Sequence, residues 1–374
     1  RNGYTPNAAL PASSAGLQNT SVGEMAGDYY FPSAALKLQV TDNFSFGLIY
    51  DQPFGAEAEY STGTQKTTAL PGPLAPLGNQ GLFHNGTEGT SVEVKSQSIS
   101  MLFGYQPTEN FNFYAGPVYQ TIKGDVQLRG LAYGGNATFG GYNASIKETG
   151  DIGWLAGAAF QIPDIALKAS VTYRSEIEHS VNVKESFNSA GLLAGLNAAP
   201  SLNTDITTPQ SVNLDFQTGI MANTVAFANV RWVDWSSFSI QPYKFGLASK
   251  NPAVQASTGK PEFDLVAYTD DQISATVGVG RKLNDQWAGN VSVGWDSGAG
   301  NPVTTLGPTE GYWNVGLGAQ FSPTPQTFIA GGVKYFWLGD AKAQSGDQFD
   351  TANYVADFES NYAIAYGLKM GYKF

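Results

Sequence analysis

The sequence predicts an all-β chain folded as an antiparallel transmembrane β-barrel, and three observations predict it. The first is the closing segment. Tyr362, Ile364, Tyr366, Leu368, Met370, Tyr372 and Phe374 alternate with Ala363, Ala365, Gly367, Lys369, Gly371 and Lys373. Large apolar side chains face one way and small or charged ones the other, and the segment ends on an aromatic. A strand between lipid and a lumen needs that pattern, with aromatics at the membrane boundary. The second is composition. Of 374 residues, 44 are Gly, 13% are aromatic and 14% are charged, against about 25% charged in soluble domains. No run of about 18 apolar residues provides a membrane-crossing helix. A barrel reconciles the two, because only alternate strand residues meet lipid. The third is that short and long connections alternate.

Period-2 segments recur at residues 34–40, 43–60, 92–106, 111–129, 151–162, 165–176, 207–220, 224–235, 265–283, 286–295, 312–321, 326–337 and 354–374. Ile99, Met101, Phe103 and Tyr105 form one stripe. Trp287, Val291, Val293 and Trp295 form another, and Trp313, Val315, Leu317 and Phe321 a third. Aromatics sit at the ends of several stripes and aliphatics in the middle, as interfacial girdles require. Tight turns fall at 41–43, 107–109, 163–164, 222–223, 284–285 and 322–324. Long loops fall at 61–91, 130–149, 177–205, 236–264, 298–310 and 339–352, with a short helix expected over 189–197. The tight turns are assigned to the periplasm and the loops to the exterior. Residues 1–26 read as an N-terminal extracellular segment and 27–374 as the barrel. An odd strand count is unusual for a single-chain bacterial barrel, so a further strand is expected before Arg1.

Several function classes are disfavoured. A net charge of −11 argues against nucleic acid. Without cysteine there is no thiol chemistry. His84 and His179 fall in predicted loops without evident partners for a metal site or a Ser-His pair. The expectation is a protein without catalytic residues, cofactor or metal. Asp350, Asp357 and Glu359 are spaced as a solvated face rather than as Ca²⁺ ligands.

Residues 44–60 (FSFGLIYDQPFGAEAEY), 172–176 (TYRSE) and 232–238 (WVDWSSF) resemble the FadL/TodX family of outer-membrane transporters. The order of strands and loops follows that family over nearly the whole chain. The resemblance implies a native 14-stranded barrel with an N-terminal hatch, hatch and first strand lying before Arg1.

Pro53 and Gly55 interrupt an otherwise regular strand. Proline donates nothing to a ladder and glycine permits unusual backbone angles. Gln52, Pro53, Phe54, Gly55 and Ala56 are thus a candidate kink, and the resemblance implies that it opens the wall sideways for a hydrophobic substrate. The alternative is a strand end followed by a loop. Alternation places Lys168, Lys334, Lys369 and Lys373 in the lumen, with Arg174 and Arg231 near strand tops. A buried carboxylate needs such a cation; the alternative for each is a lumen residue paired with Asp or Glu, since charged lumen walls are the norm in barrels. The family places a basic residue near Lys123 or Arg129. Leu131, Leu192, Leu193 and Leu196 lie in apolar loops that either form an extracellular groove for hydrophobic molecules or cap the barrel. The expected function is passive transport of hydrophobic compounds, long-chain fatty acids first, by a monomer in the outer membrane of a Gram-negative bacterium. Bound partners would be the fatty acid or another hydrophobic small molecule, together with outer-membrane lipid. A general porin and a surface adhesin are the alternatives.

Overall fold

A computed structural model describes residues 2–4, 17, 19–63, 66–69 and 72–374. The alternating segments become one sheet of sixteen strands. They are β1 (Ala34–Gln39), β2 (Phe44–Asp51), β3 (Gly55–Glu59), β4 (Ser91–Tyr105), β5 (Phe111–Gln127), β6 (Asn143–Ile162), β7 (Leu167–Arg174), β8 (Ile177–Ser186) and β9 (Asn203–Thr208). Then follow β10 (Ser211–Met221), β11 (Thr224–Val233), β12 (Gln272–Lys282), β13 (Trp287–Asp296), β14 (Tyr312–Thr324), β15 (Thr327–Leu338) and β16 (Tyr362–Tyr372). Thirteen form a continuous antiparallel path from β1 through β2, β4, β5, β6, β7 and β10 to β16. Beside this path β3 pairs with β4, while β8 pairs with the outer part of β6 and carries β9.

Residues directly opposite in antiparallel strands share a face, so register separates the wall's two sides. Trp295, Trp313, Trp337 and Tyr362 stand side by side on the outer face. Trp287, Phe321, Ile329 and Met370 form the matching row near the tight turns. Eight residues separate Trp287 from Trp295, about 27 Å of strand, or about 20 Å of height at the usual tilt. Large apolar side chains between these rows remain exposed, among them Val291, Val315, Leu317 and Leu368. This is the membrane-facing band. The lumen row beside it is Gly278, Ser292, Gly316, Lys334 and Ala365, small or polar throughout.

The main buried core lies above the band. It joins Tyr60, Phe83, Leu131, Phe139, Tyr142, Phe187, Leu193, Phe245 and Phe358 into an extracellular cap. A five-stranded sheet adds to the cap, with Ser21–Glu24, Asn2–Tyr4, Ala356–Phe358, Ala341–Gln344 and Val303–Thr304 in that order. Residues 1, 5–16 and 18 of the predicted N-terminal segment lie outside the described residues, as do Leu70 and Pro71 of the first long loop.

Three expectations about the loops need correction. The 177–205 stretch contains β8 and the first half of β9. Ile177, His179, Val181 and Val183 are buried there, while Glu178, Ser180, Asn182 and Lys184 are exposed. The 236–264 loop carries two helices, α1 (Tyr243–Ser249) and α2 (Pro252–Thr258), the second capped by the Asn251 side chain accepting from the Ala253 amide. The strand placed at 265–283 starts at Gln272, and the one at 354–374 starts at Tyr362. In the predicted helix at 189–197 the helical part is a 3-10 turn at Ala194–Ala198.

Candidate functional site

The predicted kink is a local fault in the wall. The β2–β4 ladder runs to Asp51 opposite Ser98, and the β3–β4 ladder resumes at Gly55 opposite Lys95. Between them three residues face two, so one residue is inserted. Phe54 is paired with Ser96: its carbonyl accepts from the Ser96 amide at 3.1 Å and hydroxyl at 2.7 Å, and its amide donates to the same hydroxyl at 2.8 Å. Among the described residues neither Gln52 nor Pro53 makes a backbone hydrogen bond. That is a β-bulge, which breaks the ladder and re-aims side chains. Odd positions of β2, such as Ile49 and Asp51, face the lumen opposite Ser100 and Ser98. Beyond the fault even positions do, with Ala58 and Tyr60 buried in the cap. Outside, the Gln52 amide donates to the Tyr50 hydroxyl at 3.2 Å, which donates to Gln97 Oε1 at 3.0 Å.

The lumen beside the kink has two kinds of wall. Val118 of β5, Leu155 of β6 and Ile177 of β8 are buried against Leu102 of β4 and Tyr114 of β5. Gly157 lies beneath the Tyr114 ring, where a Cβ would come within 2.5 Å. The opposite wall is polar. Thr172, Asn213, Arg231, Ser274, Asp296 and Tyr312 stand in one lumen row. Arg174 crosses the lumen to Asp51 at 3.5 Å. Arg231 lies within electrostatic reach of Arg174, Asp51 and Asp296, and its Nε has no hydrogen-bond partner among the described residues. Towards the tight turns the lumen widens into a cavity of about 880 Å³ lined by Gln217, Phe227, Lys282, Asn290 and Gln320.

The other predicted ligand residues are not gathered into one site. Lys123 is exposed on the outer face opposite Lys95, on the side away from the lumen. Arg129 is buried in the cap, with four of its five guanidinium N–H donors engaged. Its guanidinium donates to Glu88 at 2.8 Å, to the carbonyls of Leu128 and Tyr142 at 2.8 and 3.1 Å, and to Asn143 Oδ1 at 2.8 Å. Leu131 and Leu193 are buried in the cap core, Leu196 packs against it, and Leu192 is exposed. His179, read as a loop residue, is wholly buried, with Nδ1 2.9 Å from Asp151 Oδ2 and Nε2 2.9 Å from Gln120 Oε1. Period-2 counting through 177–183 finds its inward face. The same counting from Glu93 to Asp125 finds the outward face of Lys123.

The sequence family of outer-membrane transport proteins designated OMPP1/FadL/TodX matches residues 79–374. The chain belongs to this family. A Pseudomonas aeruginosa FadL homologue has the same fold at 15% identity, with a TM-score of 0.66 over 99% of this chain and 85% of that one. The toluene transporter TodX of Pseudomonas putida matches with a TM-score of 0.57 at 12% identity, over 99% and 86% of the two chains. The Ralstonia pickettii toluene transporter TbuX matches at 0.53 and 10% identity, over 99% and 86%. At such identities these likenesses establish the fold, a transmembrane β-barrel. No curated protein matches the chain in sequence. Members of the FadL/TodX family are outer-membrane transporters of hydrophobic compounds in Gram-negative bacteria, which fixes location and general role.

Proposed function

We propose that this FadL/TodX member carries long-chain fatty acids and releases them sideways through the wall at residues 52–54. The observation that carries the reading is the bulge: one inserted residue, with Gln52 and Pro53 unpaired, at the outer end of the lipid-facing stripe that includes Ile99 and Tyr119. A closed barrel in lipid otherwise satisfies every backbone group within the wall. The lumen supplies the remaining requirements. Leu102, Tyr114, Val118 and Leu155 suit an alkyl chain. Arg231, with Arg174 beside it, suits a carboxylate, since guanidinium pairs with carboxylate in a bidentate fork. Lys123 and Arg129 are replaced in that role, because one lies outside the wall and the other is held by four acceptors in the cap. The observation favouring a porin is the polar wall above the 880 Å³ cavity.

The test is oleate uptake by cells lacking their own transporter, complemented with this protein or its Arg231→Gln variant. The expected result is restored uptake, reduced on the order of tenfold or more by the substitution, with uptake of toluene unchanged. No oleate uptake, together with steady ion conductance in planar bilayers, would replace this reading with the porin.

A further inference from the structure

The inserted residue at the kink does more than interrupt the ladder. Had alternation continued from Asp51, Phe54 would face lipid. The insertion turns it inward, and its ring meets Trp235 from the far side of the lumen, 5.6 Å between centroids and edge-on at 80°. Trp235 follows β11, and in the order of the sheet five strands, β4, β5, β6, β7 and β10, stand between β2 and β11. The contact therefore spans the barrel. Trp235 is held in place. Its Nε1 donates to Gln272 Oε1 at 2.8 Å, and Phe238 and Tyr268 each pack on its ring at 5.2 Å. Tyr268 in turn lines a cavity of about 370 Å³ on the extracellular side, where Phe263 and Phe349 share the wall with Lys260, Glu262, Asp264 and Asp350. An unbroken file of rings thus leads from that cavity through Tyr268 and Trp235 to Phe54 in the wall.

We propose that the Phe54–Trp235 contact is a latch across the lumen, which a ligand parts by sliding its apolar portion between the two rings. The latch selects for an uncharged chain or ring at this level, because Phe54 and Trp235 offer only an aromatic face and edge to what passes between them. An edge-to-face pair is worth about 0.5–1.5 kcal/mol beyond its buried area, a fewfold to tenfold bias towards the closed state. That is strong enough to stop leakage and weak enough for a ligand to replace. The latch rests on the transport reading given above and adds the residues that control it.

The chain has no cysteine, so thiols can be introduced at chosen positions alone. Three proteins are compared by oleate uptake in cells and by ion conductance in planar bilayers: the unaltered chain, Phe54→Ala, and Phe54→Cys/Trp235→Cys bridged by a short bifunctional thiol reagent. Heat-modifiable migration on gels establishes that each is folded. Phe54→Ala is expected to raise conductance and uptake about fivefold. Bridging is expected to abolish both, while single-cysteine controls treated with the reagent keep them. A merely structural role for Phe54 would instead lower both in the alanine variant. That result, or a bridged protein that still conducts, overturns the latch. If the unaltered chain fails to take up oleate, the fatty-acid reading fails, and conductance still decides the latch.

Discussion

Arg129 shows how residue type and residue role separate. A buried arginine in an apolar loop looks like a ligand's counter-ion, yet four acceptors already hold its guanidinium, and Thr90 binds its amide and carbonyl at 2.9 and 2.7 Å. It clamps the loop after β5 to the one before β4. Arg129→Ala leaves those acceptors unmatched and is expected to destabilise the cap by about 3 kcal/mol. Thermal melting of the purified barrel should show the loss, with the oleate concentration for half-maximal uptake unchanged. A shift in that concentration without a change in melting would return Arg129 to the ligand site. His179 gives a pH dependence. Burial holds its pKa below the ordinary value, and the adjacent Asp151 offsets this only in part. The folded protein therefore keeps the imidazole neutral where the unfolded chain protonates, near pH 6.5. Its contribution to stability is complete above that pH and declines as pH falls from there towards the folded pKa. His179→Gln should flatten the stability profile between about pH 7 and pH 5, and an unchanged profile would mean that His179 does not titrate there.

At the scale of elements, the strands were legible and the cap was not. Period 2 survives in every spanning strand because lipid on one side and lumen on the other impose it at each step. Pro53 and Gly55 announced the bulge because neither suits an unbroken ladder. The β8–β9 hairpin was missed although Ile177, His179, Val181 and Val183 alternate, since polar residues on its outward face gave it a loop's composition. Helix α1 was hidden for another reason: it is seven residues long and its amides are satisfied from elsewhere. The buried Glu185 carboxylate of β8 accepts from the amides of Lys244 and Phe245 and from the Tyr142 hydroxyl, each at 2.8 Å. A carboxylate at a helix N-terminus is favoured by the helix dipole and by charge-assisted hydrogen bonds. Sequence cannot show a cap supplied from about 60 residues away, as this one is. Glu185→Gln is expected to weaken the docking of α1 by about 1–3 kcal/mol. Hydrogen exchange of the α1 amides should accelerate while exchange in β12–β15 stays slow.

Across the whole molecule, polarity is distributed as in a barrel between lipid and a lumen, the setting of the proposed lateral release. The outside carries an apolar band between the aromatic row Trp295, Trp313, Trp337 and Tyr362 and the mixed row Trp287, Phe321, Ile329 and Met370. The lumen carries one apolar patch, Leu102, Tyr114, Val118 and Leu155 on β4, β5 and β6, next to the Ser96, Ser98 and Ser100 side chains that face the kink, and its opposite wall is mainly polar. The cap closes the exterior with a packed core and leaves a largely polar cavity with Phe263, Tyr268 and Phe349 in its wall. Register explains why the fault lies where it does. Gln52 and Pro53 together oppose Gln97, so deleting Pro53 restores two residues against two and keeps Asp51 and Phe54 facing inward. The central claim is tested most directly by oleate uptake in transporter-deficient cells expressing the Pro53 deletion, with heat-modifiable migration showing an intact barrel. The account predicts a folded protein that no longer takes up oleate. A folded deletion variant with undiminished uptake would contradict lateral release at this site.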